Sequence, residues 1–235
     1  NSISVKFGQR TTYADNRELW MSSNSLQLVE RSRLTSAFAS IREFGIFVTG
    51  RIKSGRGSFL RPYLVLSNGD GKNVMGNDKG GLKFGGRIDY LPFGLFTNIG
   101  QFRQIDVMRE QVPKLVVGVH YSHNSGMSSR RGRYSGRLVY LNSNDEESLP
   151  DYFKYGLDFL FKYRGFSALG EFVKSSAIVP DDITQRVRND GSISTTFLVN
   201  DIQNVDAYVK GRMMLGKAYN FQLGYLFKNN FSIDG

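Results

Sequence analysis

The side chains best placed to do chemistry in this sequence are cations that recur at alternate positions of long, half-apolar runs. Arg51, Arg61, Lys83, Arg87, Lys154, Lys162, Lys210 and Arg212 each fall on the polar parity of such a run, together with Glu43, Asp89, Asp158, Glu171 and Asp206. Eight basic against five acidic groups on one face make a mildly positive wall. Behind a low-dielectric wall such cations focus their field on small anions passing nearby. Covalent chemistry has far less to work with. There is no Cys, so a thiol nucleophile, a disulfide framework and a thiolate metal site are excluded. The two histidines, His120 and His123, fall on opposite parities of one run, and Ser122 alone completes no nucleophile, base and orienter. No catalytic residue, cofactor site or metal site is assigned, and the chain is expected not to be an enzyme. Segment 67–81 carries Asp70 and Asp78 among glycines and asparagines, but it lacks the acidic spacing and closing Glu of a calcium loop. It reads as a hairpin loop.

The elements that must position these groups are long strands. In 152–163 the odd positions Phe153, Tyr155, Leu157, Phe159, Phe161 and Tyr163 are all apolar or aromatic, while Lys154, Asp158 and Lys162 lie between them. A period of two held over a dozen residues is a strand with one greasy and one wet face. It is twice the ordinary strand length of about 5–6 residues and close to the ~9–11 residues of a tilted membrane-crossing strand. The same alternation appears in 42–52, 81–90, 115–123, 205–213 and 219–227, and more loosely in 3–9, 59–67 and 166–174. The connections are long at 11–41, 68–80, 124–151 and 175–204 but short at 53–58, 164–165 and 216–218. With 91–114 taken as a connection on the short-turn side, long and short alternate as in an outer-membrane barrel. Composition agrees. The 235 residues include 26 Gly, 18 Phe and 12 Tyr, with 31 Lys+Arg against 21 Asp+Glu for a net charge of +10. That aromatic content excludes disorder, and no apolar run approaches the ~18 residues of a spanning helix. The expectation is all-β, an antiparallel transmembrane β-barrel with about nine strands and a tenth starting at Phe231. Residues 1–235 form a single domain. An odd strand count, an Asn at position 1 with no signal segment and a strand just beginning at Phe231–Gly235 suggest a portion of a larger barrel from a mature secreted chain.

Several stretches carry a family resemblance. Val5-Lys6-Phe7-Gly8-Gln9, then Leu28-Val29-Glu30-Arg31-Ser32, Ala37-Phe38 and Arg42-Glu43-Phe44-Gly45-Ile46 resemble the phosphate-selective porin O/P family in type and order. The run Lys114 to Asn124 and Gly170-Glu171-Phe172 resemble later strands of it. The resemblance implies a sixteen-stranded porin, typically trimeric, in the bacterial outer membrane, with the 11–41 loop folded into the lumen. Arg31, Arg33 and Arg42 flank that loop and are the constriction candidates, because the planar Arg fork suits phosphate oxygens. The chain lacks a dense arginine ladder, so pore formation is implied more firmly than phosphate selectivity. The expected partners are outer-membrane lipid and lipopolysaccharide, small anions, and a homotrimer or larger outer-membrane complex. The Arg130, Arg131, Arg133 and Arg137 cluster, with Tyr134 and Tyr140 nearby, is expected in an outer loop facing lipopolysaccharide phosphates, with no nucleic-acid partner. The alternative function is a non-transporting barrel that serves as scaffold or subunit of an outer-membrane assembly.

Overall fold

The structure is a computed structural model and describes residues 1–39, 42–69, 71, 80–127, 139–188 and 190–235. In chain order its strands are β1 (Ser2–Arg10), β2 (Glu43–Ser54), β3 (Ser58–Ser67), β4 (Lys83–Leu91), β5 (Lys114–Asn124), β6 (Val139–Leu141) and β7 (Asp151–Tyr163). They continue with β8 (Phe166–Ile178), β9 (Gln185–Val187), β10 (Ile193–Ser194), β11 (Leu198–Val199), β12 (Ile202–Gln203), β13 (Gly216–Leu226) and β14 (Ser232–Asp234). Two short helices, α1 (Arg33–Phe38) and α2 (Val205–Lys210), join 3-10 turns at Arg17–Trp20, Ser23–Ser25 and Thr97–Phe102.

Nine strands make one antiparallel sheet in the order β1-β2-β3-β4-β5-β7-β8-β13-β14. Consecutive long strands pair with their neighbours, as the period-two runs require: β7 meets β8 over the full register from Asp151↔Ile178 to Tyr163↔Phe166. The fold is therefore all-β. Among the described residues β1 and β14 do not pair with each other, so the sheet has two edges and no closed barrel is formed. No strand lies in 92–113, in line with its reading as a connection.

The two faces of this sheet are opposite in character, and the charged one is covered. Glu43, Lys83, Arg87, Asp89, His120, Lys154, Asp158, Lys162 and Glu171 are all buried. Segments 11–42 and 92–113 pack over them, with Met21, Leu91, Phe96, Val116, Leu160 and Leu169 forming one apolar seam and Leu34, Phe38 and Val173 another. The opposite parity is bare: Val5, Phe7, Leu64, Leu66, Phe84, Ile88, Val119, Tyr121, Leu157, Phe221 and Leu223 are exposed.

One expected strand is absent. Residues 205–213, read above as a strand that turns Asp206, Lys210 and Arg212 toward the wall, instead form α2 and a following turn. The run Val205-Asp206-Ala207-Tyr208-Val209-Lys210 satisfies a helical period as well as a period of two. Two local interactions decide for the helix. Asn204 caps it by accepting a hydrogen bond from the Ala207 N–H at 2.9 Å, and Lys210 pairs with Asp206 one turn earlier at 2.7 Å. Tyr208 and Val209 thereby join a separate apolar cluster with Met127, Tyr140, Leu149, Tyr152, Ile183 and Phe197. This cluster, the small β10-β9-β6 sheet and the β11-β12 hairpin occupy the long connections that were expected to be loops.

Candidate pore-facing site

The inserted segment begins with Asp15-Asn16-Arg17-Glu18, four consecutive residues that are fully buried against the sheet. Their burial follows from charges on the wall that need partners. Arg17 donates from Nε to Asp158 at 2.8 Å and from Nη2 to Asp89 at 2.7 Å. Arg87, next to Asp89 on β4, donates from Nε to Asp89 at 2.7 Å and from Nη1 to Asp158 at 2.6 Å, with a second contact from Nη2 to Asp158. Two guanidiniums and two carboxylates thus form a neutral, desolvated quartet. Gly118 makes room for it: a Cβ there would lie 2.0 Å from Arg87 Nη2 and 2.5 Å from Asp89 Oδ1. Two further pairs flank the quartet, Lys154 with Asp15 at 2.6 Å and Lys83 with Glu43 at 2.7 Å.

Glu18 and Glu171 differ from these groups, since neither forms an ion pair among the described residues. Glu18 accepts from Ser32 N and Oγ at 2.9 and 2.7 Å and from the Gln104 and Gln222 amides. Glu171 accepts from Asn16, Asn220 and the Glu18 backbone N–H. Ser32 in turn caps α1 by accepting from Thr35 N at 3.2 Å, so Glu18 fixes the start of that helix. The inserted segment is held to the wall by hydrogen bonds at both ends of this stretch.

The structure sorts the expected lining residues into three groups. Lys83, Arg87, Lys154 and Lys162 lie on the covered face, buried and bonded; Lys162 donates to the Gly100 and Ile105 carbonyls at 3.0 and 2.7 Å. Arg61 lies on the same face, half-buried, with its guanidinium 5.7 Å from the Tyr63 ring and 5.6 Å from Phe102. Arg51 has the covered-face parity but is exposed near the end of β2, opposite Ser2. Lys210 and Arg212 are not on the wall at all. They belong to α2 and the turn after it, where Arg212 stacks 3.4 Å from the Tyr208 ring centroid.

Of the constriction candidates, the structure brings two together. Arg31 and Arg42 border a cavity of about 400 Å³ with Trp20, Ser22, Ser23 and Thr35. Arg31 is half-buried and donates to the Glu18 and Met21 carbonyls, the latter at 2.6 Å. Burial pulls its pKa below the ordinary guanidinium value, while the charges of Glu18 and Glu171 oppose that shift. Carbonyl partners leave its positive charge uncancelled. Arg33 sits exposed on α1 and does not line the cavity.

Asp15, Arg17 and Glu18 carry no period-two signature and were not foreseen. A signal for them was available, since a wall with inward Asp89 and Asp158 calls for cations from whatever segment folds onto it. His120 and His123 do lie on opposite faces; His123 contacts Asp151 at 3.0 Å and stacks on Phe153, far from the quartet in its setting. Asp70, Asp78, Arg130, Arg131, Arg133, Tyr134 and Arg137 lie outside the described residues. No group of three or more His, Cys, Asp or Glu suited to a metal occurs among the described residues. No family model, curated protein or solved structure matches the chain.

Proposed function

We propose that this chain is part of the wall and constriction of a bacterial outer-membrane β-barrel of the phosphate-selective porin O/P type, which lets small solutes diffuse passively with a weak preference for anions. One observation carries the reading: the sheet has its charges covered and its apolar side chains bare. A water-soluble sheet places its polar residues outward. A membrane barrel needs the reverse, an apolar band against lipid and a polar interior. The long strands, from 9 residues in β1 to 13 in β7 and β8, suit tilted crossings of the hydrocarbon layer. In this reading the edges of β1 and β14 are closed by further strands of a sixteen-stranded wall, and the 11–42 segment narrows the lumen. Lipid and lipopolysaccharide surround the barrel, which assembles as a homotrimer or within a larger complex.

The wall cations are neutralised by Asp15, Glu43, Asp89 and Asp158, so they contribute little field to a permeating ion. The preference is carried by Arg31 and Arg42 at the cavity. The same neutralisation favours a second reading, a non-conducting barrel that serves as a scaffold or subunit. Conductance of the detergent-purified full-length protein in a planar bilayer under a KCl gradient separates the two. Steady channels whose reversal potential moves toward that of chloride, and moves back in Arg42→Gln, support the pore. A folded, heat-modifiable protein that never conducts refutes it and leaves the scaffold.

A further inference from the structure

Four hydrogen-bond donors meet between the inserted segment and the wall, with no acceptor to receive them. On β3 and β4, Arg61 is in register with Asp89 and Tyr63 with Arg87. Trp20 packs over them, its ring 5.1 Å from Tyr63 and 6.3 Å from Phe102, and Tyr13 lies 5.0 Å from Tyr63 and 5.2 Å from Trp20. Arg17 reaches the same patch through Asp89. The Tyr63 hydroxyl is within electrostatic reach of Arg17, Arg61, Arg87 and Asp89 together. In this cage Arg61 Nε, Trp20 Nε1, Tyr63 Oη and Arg17 Nη1 are closed to solvent and have no hydrogen-bond partner among the described residues. Arg17 and Tyr63 are 0% and 2% exposed, so solvent does not satisfy them from outside. Buried donors left unmade carry a full desolvation penalty.

The charge count has the same sign. Arg17 and Arg87 are matched by Asp89 and Asp158, whereas Arg61 has no ion pair among the described residues. Gln101 Oε1, beside Phe102 in the chain, is likewise without a donor, but a neutral amide cannot offset the Arg61 charge. A water molecule accepts from two donors, must place its own protons, and also leaves that charge unbalanced. The aromatic rings are in contact packing, so a guest here is about one atom across. Their positive edges favour an anion.

We propose that the cage holds a resident monatomic anion, chloride under physiological conditions, which pins Trp20 and the inserted segment to β3. The site is separate from the Arg31–Arg42 cavity and does not depend on whether the barrel conducts.

Trp20 is the sole tryptophan of the chain and reports on the cage directly. The test titrates bromide against Trp20 fluorescence in the detergent-purified full-length protein, at constant ionic strength with a non-coordinating counter-anion. Trp20 also borders the open cavity, so a linear collisional part is expected throughout. The proposal predicts an added saturable part that Arg61→Gln weakens by about tenfold, the loss of one charge-assisted bond. Arg42→Gln should leave it unchanged. Should Arg61→Gln not fold, Tyr63→Phe, which removes one donor and keeps the ring, takes its place with a smaller weakening. Anomalous diffraction from bromide-exchanged crystals should place one peak within hydrogen-bond distance of Tyr63 Oη and Trp20 Nε1. Purely linear quenching, saturation abolished by Arg42→Gln and not by Arg61→Gln, or a cage that contains only water overturns the proposal. None of these readouts requires conductance, so failure here leaves the pore reading standing, and the converse holds.

Discussion

Asp158→Asn is the sharpest test of how the inserted segment is held. Asp158 is 1% exposed and accepts from Arg17 Nε and from both terminal nitrogens of Arg87. The amide has nearly the shape of the carboxylate, so no cavity opens and the loss is electrostatic. The quartet of Arg17, Arg87, Asp89 and Asp158 goes from neutral to a net charge of one, closed off from water. Removing one partner of a buried pair costs about 3–5 kcal/mol, because the charge left behind is uncompensated. The variant should therefore be about 3 kcal/mol less stable in urea titrations of protein refolded into lipid vesicles. Adding Arg17→Met to Asp158→Asn restores neutrality and should recover at least ~1 kcal/mol of the loss, a coupling of the size expected for contacting residues. The inserted segment should also become accessible to protease in Asp158→Asn before the wall unfolds. If the single variant loses less than about 0.5 kcal/mol and the cycle shows no coupling, the quartet is hydrated. The account of an inserted segment locked by desolvated ion pairs is then wrong.

Three further outcomes follow from single side chains. Leu64→Arg, on the bare face of β3, should cost about 2–4 kcal/mol in vesicles, as for Arg near mid-membrane on a lipid-facing wall; no loss in vesicles would argue that this face does not meet lipid. Gly118→Ala should destabilise by about 1–3 kcal/mol, since its methyl would overlap the Arg87–Asp89 contact; thermal unfolding followed by heat-modifiable gel mobility reads this. Asn204→Ala removes the α2 cap and should cost about 0.5–2 kcal/mol; limited proteolysis should then cut near 200–215 first while the nine-stranded sheet stays intact.

What could be read ahead of the structure was whatever repeats with a period of two over ten residues. β7 is the clearest case, and the parity that exposed Tyr155 and Leu157 also buried Lys154 and Asp158. The short elements were not legible for a matching reason. β6, β9 and β10 have two or three residues each, too few for any period to show. In α2 six residues fit both periods, and the choice rested on a cap at Asn204 and an i,i+4 pair, signals that sit outside the alternation itself. Arg17 was hidden for a third reason. It lies in a connection, and connections were given no geometry, although the acidic wall residues already implied a cation opposite them. The 11–41 loop was expected to fold inward from the family resemblance alone; its ion pairs supply the physical reason that it packs on the sheet.

Those pairs also change where selectivity must come from. A count of inward Lys and Arg treats every cation as available to a passing ion, but a cation held at about 2.7 Å from a buried carboxylate presents a dipole whose field falls off faster than a charge. Lys83, Arg87 and Lys154 are all in that position. Lys162, bonded to two carbonyls, keeps its charge but sits behind the 92–113 segment. Glu18 and Glu171 keep theirs as well and act in the opposite direction. Arg31 combines a retained charge with a place on the cavity wall, and Arg42 stands beside it. A weak preference set by two guanidiniums, opposed by two carboxylates a few residues away, should be sensitive to ionic strength and shift strongly on loss of either Arg. A preference spread over a ladder of unpaired wall cations would instead change little with any single substitution.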